Sequence, residues 1–142
     1  GNLHFIRSEA RFFLENLPAN KLISDVFVLF PDPWPKARHH KHRILQPAFL
    51  AMLATRVGDG ARLYFRTDDR PYFDDAFATV RESPYWSAPS DERWHFEHET
   101  VFQSRASSYY SLTSGVKKSG QPPHMGSPAN ELQADRPLDF RG

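Results

Sequence analysis

Asp25-Val26-Phe27-Val28-Leu29-Phe30 is apolar without a break after its first residue, and a proline follows it. A run this short, rich in β-branched and aromatic side chains and lacking alternation, reads as a parallel strand covered on both faces. Pro31 ends the ladder because it has no N–H to donate. Pro33 and Pro35 then fix φ on either side of Trp34, so the chain leaves the strand stiffly through Pro31-Asp32-Pro33-Trp34-Pro35-Lys36. This turn presents Asp32 at the strand's carboxyl end, the edge at which open α/β sheets bind ligands.

The segments on either side alternate in kind. Leu3-His4-Phe5-Ile6-Arg7 is β-prone and reads as a short strand, and Ser8 is placed to cap a helix carrying Phe12, Phe13 and Leu17 on one side. Gln46-Pro47 opens a second helix, with Phe49, Leu50, Leu53 and Val57 at helical spacing and Gly58-Asp59-Gly60 to end it. Ala61 to Arg66 is a further strand and Thr67-Asp68-Asp69 a strand-end turn, in which Asp69 is placed to cap the helix that follows. Pro71 opens a third helix, with Tyr72, Phe73, Phe77 and Val80 inward, and Ser83-Pro84 stops it. Such alternation predicts βαβ units on a parallel sheet. Beyond it lie two candidate strands with no helix between them, near Trp94 to His98 and Tyr109 to Leu112, which predict a closing antiparallel hairpin. Residues 1–118 are expected to form the domain, and 119–142, rich in Pro, Gly and polar residues, a disordered tail.

Charge bears on function locally rather than globally. The net charge is +1, yet Lys36, Arg38, Lys41 and Arg43 fall within eight residues that contain no acid. Cations so clustered neutralise phosphates, and Trp34 with His39, His40 and His42 adds rings for stacking or hydrogen bonding, so the loop reads as an RNA contact rather than a solvated face. A metal site built from the three histidines lacks any thiolate and any nearby carboxylate other than Asp32; none is expected. No apolar run suits a membrane span and no signal peptide is evident, so the expected location is cytoplasmic. Trp86, Trp94, Tyr109 and Tyr110 could stack on bases, but aromatics in short strands more often pack.

Pro31-Asp32-Pro33-Trp34-Pro35-Lys36, followed by Arg38-His39-His40-Lys41 and Gln46-Pro47, closely resembles the signature of the tRNA (guanine-N7)-methyltransferases, which use S-adenosylmethionine. The resemblance implies a Rossmann-like α/β sheet closed by an antiparallel hairpin, with tRNA as partner. It implies that Asp32 is catalytic and lies beside the cofactor, and that Lys36 and Asp68 bind substrate. Arg38, His39, His40, Lys41, His42 and Arg43 match the RNA-contacting segment. Thr100, Val101, Phe102 and Gln103 occupy the place of a substrate-binding segment that usually ends in Glu; Gln103 loses the charge and keeps an acceptor. Glu9 stands where the family tends to carry an Asp beside the cofactor's adenine, although a role in the first turn of its helix fits it equally.

Apart from Gly1 there is no glycine before Gly58, hence no glycine-rich loop between a first strand and a first helix. Rossmann-like folds usually bring their backbone against the nucleotide there. The expectation is a carboxyl-terminal portion of a methyltransferase, starting near its third strand. A non-catalytic RNA-binding module derived from that fold, and a methyltransferase of another substrate, are the alternatives.

Overall fold

A computed structural model describes residues 1–95 and 98–117. In chain order they form α1 (Ala10–Glu15), β1 (Ile23–Leu29), a 3-10 helix (Ala37–His42), α2 (Pro47–Ala54), β2 (Val57–Thr67), α3 (Arg70–Glu82), α4 (Val101–Arg105) and β3 (Tyr110–Gly115). The sheet runs β1-β2-β3, with β1 parallel and β3 antiparallel to β2. This mixed α/β arrangement holds one βαβ unit, β1-α2-β2, and an antiparallel closing strand. The predicted tail falls outside the described residues.

The central strand is β2. Leu63 and Phe65 face a core with Leu50 and Leu53 of α2, Tyr72 and Val80 of α3, Trp86 and Leu112, all essentially without solvent contact. Trp86 keeps its only polar atom satisfied there, its Nε1 donating to Leu50 O at 2.9 Å, so the indole can be buried without the cost of an orphaned donor. On the other face Tyr64 stacks on its ladder partner Phe27 at 4.5 Å, with Trp94 edge-on to both.

Several expectations change in detail. β1 is not covered on both faces: Val26 and Val28 pack on the core, whereas Phe27 and Leu29 are 39% and 40% exposed, and among the described residues it pairs with β2 alone. An unbroken apolar run records a demand for cover, and among the described residues only the face of Val26 and Val28 is met by the core. Leu3 to Arg7 forms no strand, because β propensity without a ladder partner does not hold a backbone. Glu9, not Ser8, caps α1, accepting from Phe12 N at 3.0 Å, and Phe12 points outward while Leu14 takes the buried position.

Gly58-Asp59-Gly60 does not end α2, which stops at Ala54 with Thr55 as its cap; the glycines belong to β2. Ile23 pairs with Val57 but Asp25 with Arg62, so β2 bulges between them, and Gly60 at φ 76° takes the left-handed conformation that the bulge needs. The antiparallel closure is present, but β3 makes it with β2. Isolated bridges join Trp86 to Val116 and Ser90 to Thr113. Trp94, His95 and His98 lie in no strand, and α4 intervenes before β3.

Candidate active site at the carboxyl edge of the sheet

β1 and β2 end together. Leu29 pairs with Arg66, and Phe30 N donates to Arg66 O at 2.8 Å before the chain turns away. Phe30 and Trp34 both hold φ 46°, a left-handed conformation that costs a bulky residue about 1–3 kcal/mol and tends to survive at functional sites. Asp32, three residues past the end of β1, is exposed and has no hydrogen-bond or ion-pair partner among the described residues. It therefore does not cap its own turn. Asp68 leaves β2 on the same edge and is likewise exposed and uncommitted among the described residues. Its neighbour Asp69 is spoken for, since its Oδ1 accepts from Tyr72 N at 2.7 Å and caps α3, as expected. Two available carboxylates thus leave one edge from adjacent parallel strands.

The basic stretch divides in two. Lys36, Arg38 and Lys41 are exposed and have no carboxylate partner among the described residues. Arg38 Nε contacts His39 Nε2 at 3.2 Å. Arg43 departs from its basic neighbours: it is a buried brace, its side chain only 2% exposed. Its Nε donates to Pro33 O at 2.8 Å, its Nη1 pairs with Asp75, its Nη2 lies 3.9 Å from Asp69, and its guanidinium sits 4.8 Å over the Tyr72 ring. Tyr72 completes the brace by accepting from Ile44 N at 3.0 Å, and burial pushes its phenol above the ordinary value. His40 is half-buried, 3.7 Å from Asp75, and its carbonyl accepts from Gln46 Nε2 at 3.1 Å. His39 and His42 pack around Trp34. No group of three or more metal-ligating side chains occurs among the described residues.

α4 comes to the same edge. Thr100 caps it, accepting from Gln103 N at 3.1 Å, and Phe102 lies 6.2 Å from Phe30. Val101 and Phe102 are largely exposed. Gln103 is not open to a ligand in the way its sequence suggests: its Oε1 accepts from Arg66 Nη1 at 2.8 Å, and its Nε2 donates to Tyr109 Oη at 3.0 Å. Arg66 is the residue that sequence reasoning missed. It is buried between Trp94 and Tyr109, 3.9 Å and 4.6 Å from their ring centroids, and its Nε donates to Ser111 Oγ at 2.9 Å. Two cations, Arg62 and Arg66, interrupt the otherwise apolar stretch from Ala61 to Arg66, and the second, at the strand's carboxyl end, was the available signal. Trp94 and Tyr109 therefore pack, as does Tyr110 against Phe73 and Arg70. Beside them Phe27, Leu29, Arg66, Trp94, His98 and Thr100 line an apolar cleft of about 230 Å³. Glu9 stands apart as the α1 cap. It is fully exposed, and the backbone N–H groups of Phe12 and then Arg11 hold its carboxyl below the ordinary value.

A family model described as "Putative methyltransferase" matches residues 1–115. The chain belongs to this methyltransferase family. Curated relatives agree in kind. A protein of Nocardia farcinica named tRNA (guanine-N(7)-)-methyltransferase is 42% identical over 83 residues, 58% of this chain and 31% of the relative. Proteins of the same name from Hyphomonas neptunium and Bordetella pertussis are 40% and 36% identical over 66% and 73% of this chain. The methyltransferase chain spans 43% and 42% of those two, less than half the length of each relative. No helix among its described residues is long and apolar enough to cross a membrane.

Proposed function

We propose that the protein transfers a methyl group from S-adenosylmethionine to N7 of a guanine in tRNA, and that this chain supplies the substrate side of that site. The observation that carries the reading is the uncommitted Asp32 carboxylate, held at the end of β1 by a proline-braced turn. N7 of neutral guanine has a free lone pair, so no proton need leave it. Methylation does leave the purine positively charged. A fixed carboxylate near the base stabilises that developing charge and accepts from the ring N–H groups. Asp68, leaving the neighbouring strand, offers a second acceptor to the same base.

The donor set suits the cofactor in kind, because Asp32 and Glu9 are exposed carboxylates able to meet a cationic ligand and an adenine amino group. When bound, S-adenosylmethionine supplies an electrophilic methyl group. The residues of this chain supply placement, and Asp32 opposes the charge that forms. Lys36, Arg38 and Lys41 neutralise RNA phosphates. The target guanine leaves its stack to reach Asp32, Asp68 and the exposed Phe102 on α4.

The test is incubation of the full-length protein with methyl-labelled S-adenosylmethionine and an unmodified tRNA transcript, followed by nucleoside analysis. Label in 7-methylguanosine is the expected result. Label in a different nucleoside would overturn the substrate assignment, and tRNA binding without transfer would leave only an RNA-binding module. Replacing Lys36, Arg38 and Lys41 together by Ala is expected to weaken tRNA binding and to flatten the plot of log affinity against log salt by about two units. An unaltered slope would put the RNA elsewhere on the protein.

A further inference from the structure

The sequence offers Trp34 only as one of several rings in a basic loop, but its surroundings are unlike those of the chain's other tryptophans. Trp86 is wholly buried and Trp94 is 6% exposed, whereas Trp34 is 37% exposed. It takes no part in the apolar core. Its ring contacts among the described residues are with His42 at 5.0 Å and a 45° tilt, and with His39 at 5.9 Å, edge-on. Those two imidazoles are 6.1 Å apart. The backbone holds Trp34 at φ 46° between Pro33 and Pro35, and His39 and His42 pack against the indole there, outside the core.

Around this three-ring cluster stand Lys36, Arg38 and Lys41, exposed and without carboxylate partners among the described residues. A part-exposed indole in the same short loop as three exposed cations matches a ligand that is itself aromatic and anionic. A single-stranded nucleic acid is such a ligand, since its bases stack on aromatic side chains while its phosphates meet the cations. We propose that Trp34, steadied by His39 and His42, is a stacking platform for an unpaired RNA base beside the base that enters the Asp32 site. The platform rests on the tRNA reading above, and it adds a contact of a different kind. Stacking is a short-range contact between uncharged surfaces and releases no counterions. The ring should contribute affinity at every salt concentration, while the lysines and arginine set the slope.

The experiment is equilibrium binding of an unmodified tRNA transcript to the full-length protein over a series of KCl concentrations, using Trp34→Leu, Trp34→Phe and the Lys36, Arg38, Lys41 triple Ala variant. Trp34→Leu keeps apolar bulk but removes the π face. It is expected to weaken binding roughly five- to a hundredfold at every salt concentration with an unchanged slope, and Trp34→Phe is expected to recover most of that loss. Circular dichroism of each variant excludes a folding defect. If Trp34→Leu binds like the parent while the triple variant binds weakly, the platform is wrong and the tRNA reading stands. If Trp34→Leu instead flattens the slope, the residue acts by holding the basic loop and the platform is again wrong. If neither variant alters tRNA binding, the RNA lies elsewhere on the protein and the platform is wrong, while the tRNA reading is decided by the methyl-transfer assay.

Discussion

Asp32→Ala is expected to lower the rate constant for methyl transfer by the full-length protein about a hundred- to a thousandfold, the usual cost of removing one preorganised group from the point where charge develops. The size follows from how Asp32 is held. It has no partner among the described residues to give up when a ligand arrives, so its whole electrostatic effect is available to the reaction. Asp32→Asn keeps the shape and one acceptor while losing the charge, and should fall nearly as far. Because the carboxylate repels RNA phosphates, tRNA affinity should stay level or rise slightly in both variants. Single-turnover kinetics at saturating cofactor separate the two quantities. Turnover within a factor of a few of the parent in Asp32→Asn would remove Asp32 from the chemistry.

The second large effect is on stability. Arg43→Met is expected to destabilise the fold by about 3 kcal/mol, the lower end of what breaking a buried ion pair costs. Asp75 is 57% exposed and Asp69 25%, so both carboxylates can rehydrate once the guanidinium is gone, which keeps the loss from being larger. What water cannot replace as readily is the donor to Pro33 O inside the turn. The same variant should therefore reduce methyl transfer beyond its effect on the folded fraction, because the Asp32 turn loses its tie to α3. A denaturant midpoint within a few tenths molar of the parent would show that Arg43 is not a brace.

Much of this architecture is legible in the residues because local chemistry decides it. Pro47 and Pro71 start helices, Asp69 caps one, and the Phe30 to Lys36 turn ends a strand; each acts within a few residues of itself, and each stands where expected. The α1 cap shifts locally, from Ser8 to Glu9, but the surprises at the site are non-local. Arg43 looks like its basic neighbours until Asp69, Asp75 and Tyr72 arrive from a helix 26 to 32 residues on. Gln103 looks like an open acceptor until Arg66 reaches it from β2. Gly58 and Gly60 look like a helix stop until the β1 register requires a bulge. The candidate carboxylates were read correctly onto one edge because strand ends are local. Which side chains were already engaged there was decided by partners that periodicity cannot see.

The one-sided pairing of β1 divides its backbone by parity. In a parallel ladder, alternate residues direct both their polar groups to the same neighbour. Phe30 donates to Arg66, so Val28 and Val26 share its phase and Phe27 and Leu29 hold the opposite one. Amide protons of the first set are locked into the sheet. Those of the second face away from it and, among the described residues, meet no acceptor. Along a single strand, slow and fast hydrogen exchange would alternate residue by residue, with the timescale of each amide set by direction alone.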